Sequence, residues 1–189
     1  MVSHLFILGL TRYTGTHGRG TIQIPTLTRF ALKHGYVPVV GKGLGVESNI
    51  HVMDLARAYM FVLHHLVHSS PASTLENPYF FCECTGSDEP SWYNVATYIA
   101  ESLNEAGAKV ESKPQELPAN MQSELFGEYT AAVIGLNSRS RAERLSRLGW
   151  EPKEKDCKRS YVEDELPEIL KEDNSGFAGY RGLAASGAK

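Results

Sequence analysis

The stretch "GVESNIHVMDLARAY", residues 45–59, decides how this sequence folds. It passes from a short extended segment, "NIHV" (49–52), into a helix predicted to begin at Asp54. An aspartate at a helix start accepts hydrogen bonds from backbone N–H groups that lack a partner within the helix. Five apolar residues then recur at helical spacing and predict one buried face: Leu55, Tyr59, Val62, Leu63 and Leu66. A strand that continues into a helix is the building unit of α/β proteins.

The flanking segments repeat this alternation of strand and helix. "HLFILGL" (4–10) is a nearly continuous apolar run, typical of a buried strand in a parallel sheet. A helix is predicted over 24–35, with Pro25 in its first turn and Gly35 at its end. Further predicted elements are extended segments at 36–41 and 79–84, helices at 91–107 and 137–149, and a broken helix at 161–173. The pattern predicts the α/β class.

The composition is that of one ordinary globular domain. The chain has 189 residues, of which 42% are hydrophobic and 22% charged. We expect residues 1–173 to form the domain and the Gly- and Ala-rich segment 174–189 to be a disordered tail. Because the net charge is only −3 and the positive charges are scattered, neither nucleic acid nor a membrane surface is expected as a partner.

Three cysteines, Cys82, Cys84 and Cys157, indicate the compartment. Their odd number and the C-x-C spacing fit buried reduced thiols better than disulfides or a zinc site, so a cytoplasmic protein is expected. No apolar run reaches membrane-spanning length. The start, "MVSHLFILGLTRY", lacks a basic region and a cleavage site, and is interpreted as a strand rather than a signal peptide.

Two groups of residues raise the question of a ligand site. The Gly-rich loop "GTHGRGT" (15–21) lies between a strand and a helix, where nucleotide phosphates are often bound, but it matches neither common phosphate-binding motif. His64, His65 and His68 share one helix and could hold a metal, although a solvated face is the preferred interpretation. His51 is interpreted as a buried histidine with its hydrogen bonds satisfied, and a ligand role is the alternative.

Three motifs together resemble one known family. "IHVMDLA" (50–56) resembles the strand-to-helix junction of UDP-galactose 4-epimerases, and "LGWEP" (148–152) resembles the end of the same fold. "RGTIQIPTLTRFAL" (19–32) is similar to the helix after the sixth strand in fungal-type NAD-dependent epimerase/dehydratase proteins. The resemblance is to the C-terminal half of the extended short-chain dehydrogenase/reductase family and covers residues 5–155. It implies the C-terminal part of a Rossmann-type parallel sheet plus a small substrate-binding subdomain.

The resemblance also indicates what these residues lack. Family members begin with a G-x-x-G-x-x-G loop that holds NAD or NADP, and they carry a catalytic Tyr-x-x-x-Lys; neither motif occurs here. We therefore expect a truncated NAD(P)-dependent epimerase/dehydratase or reductase-like protein that is inactive as written and does not bind the cofactor well alone. Its relatives act on small carbonyl, hydroxyl or sugar-like substrates. The alternative is a non-catalytic remnant that binds a partner protein, and self-association into a homo-oligomer is expected in either case.

The resemblance assigns candidate positions to the site. It places the cofactor near Thr11, Tyr13 and Gly15, and the substrate near Gln23 and His51. It assigns no catalytic residue and no metal ligand, and it implies a mainly structural role for Asp54.

One departure from the family bears on the substrate. Sugar-nucleotide epimerases carry an arginine shortly before "IHV" that binds a substrate phosphate, whereas this sequence has "VESN" (46–49) there. Because the carboxylate of Glu47 repels a diphosphate, a smaller or uncharged substrate is expected.

Overall fold

The computed structural model describes residues 4–7, 10–11, 21–70, 76–84 and 89–180, and only the backbone of residues 4–7 and 10–11. Within these ranges, six short strands pair two by two, and every pair is parallel. Parallel strands need crossover connections, which helices commonly supply. The α/β class predicted from the sequence is confirmed.

Five of the six described strands occur where apolar segments of the sequence predict them, and the strand Gln115–Glu116 was not predicted. Strand β1 (His4–Ile7) pairs with β5 (Tyr79–Cys82), and β2 (Leu10–Thr11) pairs with β4 (Ile50–His51). Strand β3 (Pro38–Val39) pairs with β6 (Gln115–Glu116). The register places Thr11 beside His51. Since the two strands are parallel, Thr11 and His51 both lie at the carboxyl ends of their strands, at the same edge.

Three helices are the longest elements in the described ranges. They are α1 (Gln23–His34), α2 (Val52–His68) and α3 (Trp92–Glu105). Gly35 closes α1 in the left-handed conformation, with φ of 79°, as its position in the sequence predicts. The shorter elements are 3₁₀ turns at Ala119–Glu124 and Gly127–Tyr129, α4 (Thr130–Ile134), α5 (Glu143–Arg147), α6 (Cys157–Ser160), a π-helical turn at Tyr161–Glu165 and α7 (Leu166–Ile169).

The buried apolar side chains form two clusters. The first, here the α1–α3 core, is built on these two helices and includes Leu27, Phe30, Ile99, Leu103, Leu125, Ile134 and Tyr161. The second, the α2 core, packs α2 against β5 and α5 and includes Ile50, Leu55, Ala58, Val62, Phe80, Cys82, Leu145 and Trp150. Burying one such large side chain stabilises the fold by about 1.5–3 kcal/mol.

The buried face of α2 differs from the prediction. Leu55 and Val62 are buried, as expected, but Tyr59 and Leu63 are 51% and 55% exposed. Ala58 is completely buried, so the contact face is centred on this small residue, which lets the helix approach the strands closely. The five predicted apolar residues therefore do not form one buried face.

The end of the chain packs on the α1–α3 core. The Tyr180 backbone N–H donates to the Leu125 carbonyl at 2.7 Å, and Lys33 Nζ donates to the Phe177 carbonyl at 2.8 Å. Of the segment predicted to be a tail, residues 174–180 thus contact the domain, and residues 181–189 lie outside the described ranges. No helix in the described ranges has both the length and the apolarity to cross a membrane.

Candidate functional site

A small pocket lies where the start of α1 meets the start of α3. Its volume is about 50 Å³, and the chain approaching β4 forms a third wall. The polar residues that line it are Thr21, Gln23, Glu47, Ser48, Asn49 and Trp92. Ile24, Pro90 and Val95 supply apolar wall, so a few polar groups converge in a mainly apolar cavity. This combination is typical of sites for small molecules.

Glu47 and Gln23 form a hydrogen-bonded pair inside this pocket. Gln23 Nε2 donates to the Glu47 carboxylate at 3.0 Å and to the Val133 carbonyl at 3.1 Å. Burial raises the pKa of Glu47 above its ordinary value, and the donors around it oppose that rise. The glutamine side chain is therefore fixed between two acceptors, and the carboxylate has capacity for a further donor.

Trp92 supplies a donor without an acceptor. The residue is only 7% exposed, and its indole N–H makes no hydrogen bond to any acceptor in the described part of the chain. The indole lies close enough to Glu47 to lower the pKa of that carboxyl, but it does not reach hydrogen-bond geometry. A buried N–H without an acceptor costs about 1–3 kcal/mol, so this group indicates a place for a further acceptor.

An ion-paired cluster around Glu89 borders the pocket. Ser48 Oγ donates to the Glu89 carboxylate at 2.6 Å, while Arg139 and Arg141 bind the same carboxylate at 2.7 and 2.6 Å. These charge-assisted bonds lower the pKa of Glu89 to about 2, with the bond from Arg141 as the largest cause. Both arginines are thereby engaged by the protein itself.

A second carboxylate, that of Glu165, lies near the start of α1. The backbone N–H and the hydroxyl of Thr21 donate to Glu165 at 2.6 and 3.0 Å. No side chain caps α1, and the carboxylates of Glu165 and Glu47 both lie near its N-terminus. Both carboxylates disfavour an anion at the start of α1.

His51 caps α2 and does not line the pocket. Its Nδ1 accepts the Met53 backbone N–H at 3.2 Å, and the side chain is buried. The helix thus begins at Val52 with His51 as its N-cap, and the prediction of a start at Asp54 is wrong. Because the ring nitrogen of His51 accepts the Met53 N–H at the start of the helix, the Asp54 carboxylate remains available for other donors.

Asp54 links two of the motifs that resemble the family, "IHVMDLA" (50–56) and "LGWEP" (148–152). Its carboxylate is completely buried and accepts the backbone N–H groups of Lys153 and Glu154 at 2.8 and 3.1 Å. Trp150 Nε1 donates to the Asp54 carbonyl at 3.2 Å, and Arg57 binds the carboxylate as an ion pair. The mainly structural role expected for Asp54 is therefore confirmed.

The remaining candidates divide between described and undescribed residues. Of the three cofactor candidates, Thr11 is described as backbone beside His51, while Tyr13 and Gly15 lie outside the described residues. Of the two substrate candidates, Gln23 lines the pocket.

The histidines and cysteines show ordinary structural contacts. The rings of His64 and His68 stack with their centroids 4.1 Å apart, and His68 Nδ1 donates to the His64 carbonyl. In the described ranges, no three His, Cys, Asp or Glu side chains come together as a metal-binding group. Burial raises the pKa of Cys82 to about 12 and that of Cys84 to about 11, so both thiols stay protonated at neutral pH and are poor nucleophiles.

The sequence pointed to only part of this pocket. The sequence marks Glu47 only as a departure from a family pattern, and it places Trp92 only within the helix predicted at 91–107. The signal that could have found the pair is the indole itself, because a buried tryptophan requires an acceptor for its N–H.

Comparison with known proteins supports the fold. No protein-family model and no curated protein matches the sequence. A dTDP-glucose 4,6-dehydratase from Bacillus anthracis in complex with NAD has a similar structure, with 15% identity, a TM-score of 0.54, and coverage of 88% of this chain and 44% of that one. A UDP-glucuronic acid 4-epimerase from Bacillus cereus in complex with UDP-glucuronic acid and NAD matches at 14% identity, with the same TM-score and coverage.

A third similar structure agrees with these two. It is the UDP-glucose-4-epimerase of Stenotrophomonas maltophila with bound NAD and formylated UDP-arabinopyranose, at 17% identity and a TM-score of 0.53. The chain covers 46% of that protein, so it spans about half or less of each of the three. The resemblance to extended short-chain dehydrogenases is thereby confirmed at the level of the fold, and the chain has the α/β fold of one half, the C-terminal one, of these epimerases and dehydratases.

Proposed function

We propose that this chain is the substrate-binding half of an NAD(P)-dependent epimerase/dehydratase or reductase-like protein, and that it does not turn over substrate alone. The observation that carries the proposal is the fold similarity, which extends over 88% of the chain but 44–46% of each of the three similar proteins described above. The pocket at the start of α1 supports it, since it offers a small, mainly apolar cavity with a few fixed polar groups.

The described residues do not fit a whole dinucleotide. A pyrophosphate is normally held by free backbone N–H groups at a helix N-terminus. In this structure His51 caps α2, Ser91 caps α3 through its hydroxyl, and Glu165 places a negative charge near the start of α1. None of these three helix starts therefore offers a favourable site for a phosphate. The cofactor site of the intact protein would need residues from the other half.

The candidate positions keep their assigned roles within this proposal. Thr11, Tyr13 and Gly15 contact the cofactor from the side of this chain, and Gln23 and His51 lie on the substrate side. His51 acts indirectly, because it fixes the start of α2 beside the strand that carries Thr11. The chemistry would be supplied by NAD or NADP, which exchanges a hydride with a small carbonyl, hydroxyl or sugar-like substrate. We propose a cytoplasmic location because the three cysteines form no disulfide and burial keeps the Cys82 thiol protonated.

A second candidate function has its own observation. The outer face of α2 carries large apolar side chains that are 51–70% exposed: Tyr59, Met60, Leu63 and Val67. Exposed apolar patches on a helix often mark a surface for another protein chain. A non-catalytic protein-binding module would use this face, and it would do so without any cofactor.

A fusion protein separates the two functions. The nucleotide-binding half of a UDP-glucose 4-epimerase, joined ahead of this chain, should give a soluble protein that binds NAD or NADP. The control is the same half joined to a chain with Trp150→Ala, which removes the side chain that contacts Asp54. If the intact fusion is folded but binds no dinucleotide, the enzymatic proposal fails and the protein-binding function becomes the better account.

A further inference from the structure

The pocket beside Trp92 contains two polar groups, the Trp92 indole N–H and the Glu47 carboxylate, whose remaining hydrogen-bonding capacity is complementary to a hydroxyl group. Trp92 offers an N–H that has no acceptor in the described part of the chain. The Glu47 carboxylate accepts from Gln23 and retains further lone pairs. A hydroxyl is both donor and acceptor, so one hydroxyl can accept from the indole and donate to the carboxylate.

The charges around the pocket disfavour an anionic ligand. None of its described lining residues carries a positive charge, and Glu47 places a carboxylate in the wall. Arg139 and Arg141, at its border, already bind Glu89. A diphosphate at this position would face a partly buried carboxylate, and no described lining residue offers a cation to compensate; like charges at contact distance in such surroundings repel strongly.

The size of the pocket limits the group that it can hold. Its volume of about 50 Å³ is several times the ~10–15 Å³ of cavity volume that one water molecule needs. A hydroxyl-bearing group of a few atoms fits this space, whereas a whole hexose must extend towards solvent. Ile24 and Val95 give the carbon an apolar contact.

We propose that Glu47, Gln23 and Trp92 form a specificity site that binds an uncharged, hydroxyl-bearing group of a polyol or sugar and rejects a diphosphate. This rests on the proposed function, because it assigns a substrate class to the same pocket. Glu47 accepts the ligand hydroxyl, Trp92 donates to its oxygen, and Gln23 holds the carboxylate in place. No bond is made or broken at this site.

The two tryptophans of the chain provide the test. With ¹⁵N-labelled tryptophan, the full chain gives one indole N–H signal from Trp92 and one from Trp150, and the latter already donates to the Asp54 carbonyl. We expect D-glucose and glycerol to shift the Trp92 signal and to leave that of Trp150 unchanged. Inorganic diphosphate should leave both signals in place.

Replacement of the carboxylate sharpens the assignment. Glu47→Gln keeps the shape and removes the charge, and should weaken the glucose response about ten-fold, as expected for loss of a charged hydrogen bond. The matched control is Glu128→Gln, an exposed glutamate far along the chain, which should respond as the parent does. The Trp150 signal reports whether each variant is folded. If Glu47→Gln is unfolded, Trp92→Phe replaces it, with saturation transfer from the protein to glucose as the readout and the same loss expected.

Three results would overturn the proposal: no shift of the Trp92 signal with either polyol, a shift with diphosphate instead, or an undiminished glucose response in Glu47→Gln. Since none of these probes contains a dinucleotide, the outcome is independent of whether the fusion protein binds NAD. A polyol response without cofactor binding in the fusion would keep the specificity site and reject the enzymatic proposal.

Discussion

The α1–α3 core and the α2 core differ in how completely they are covered. On α3 the only large apolar side chain with high exposure is Tyr93, at 39%, whereas α2 carries four such side chains at 51–70%. Strand β5, beneath α2, shows the same contrast, because Phe80 and Cys82 are buried while Tyr79 and Phe81 are exposed. Parallel sheets are normally covered on both faces. Exposed large apolar side chains are therefore more frequent on α2 and β5 than on α3, which fits a face of α2 and β5 that packs against further protein.

The largest expected effect separates the two faces of α2. Val62 is 7% exposed and Leu63 is 55% exposed, although they are neighbours in sequence. Val62→Asp would bury an unpaired charge and should cost several kcal/mol, giving insoluble or molten protein. Leu63→Asp should change the free energy of unfolding by no more than about 0.5 kcal/mol. Chemical denaturation measures both, and a strong destabilisation by Leu63→Asp would show that the outer face is covered.

The next effect tests whether the two cores depend on each other. Trp150→Ala empties a completely buried site in the α2 core and should cost about 3–5 kcal/mol, a loss of about 6–20 °C in melting temperature. Trp150→Phe retains most of the ring and loses one hydrogen bond, worth about 1 kcal/mol. Hydrogen exchange should show faster opening of α2 than of α3 in Trp150→Ala, and equal acceleration in both would mean one cooperative core.

The smallest effect concerns the junction between the cores. Glu89 links Ser48, beside the pocket, to Arg139 and Arg141, just before α5. The pKa of its carboxyl is lowered from 4.5 to about 2, so the stabilisation is complete above about pH 4.5 and is lost as the pH falls towards 2. Glu89→Gln should therefore lose less stability than the parent as the pH falls from about 4.5 towards 2. Parallel pH curves for the two proteins would contradict this.

Local signals in the sequence predicted the elements, and long-range contacts decided what the sequence did not predict. The end of α1 follows from Gly35, and the junction of β4 with α2 follows from the residues around His51. The bonds from Asp54 to Lys153 and Glu154 join positions about a hundred residues apart, which no local pattern reveals. The buried face of α2 was misassigned because apolar residues occur on both of its sides, so spacing alone could not select one.

The pocket shows the same division. Gln23 was a predicted substrate contact and does line the cavity. Trp92 and Glu47 come from separate segments, and only the packing of α3 against the chain before β4 brings the indole beside the carboxylate. A sequence pattern identifies such residues one at a time, whereas their chemistry depends on the contact between them.

Calorimetric titration of the isolated chain with NAD and with NADP tests the central claim most directly, namely that these residues form the substrate side of a dinucleotide-dependent fold and not the dinucleotide site. The helix starts that could bind a pyrophosphate are capped by His51 in α2 and by Ser91 in α3, and the start of α1 lies near the Glu165 carboxylate. The account predicts no binding tighter than a dissociation constant of ~100 μM, about −5.5 kcal/mol, for either cofactor. Stoichiometric binding of NAD or NADP below that value would contradict it, because the chain would then contain a complete cofactor site of its own.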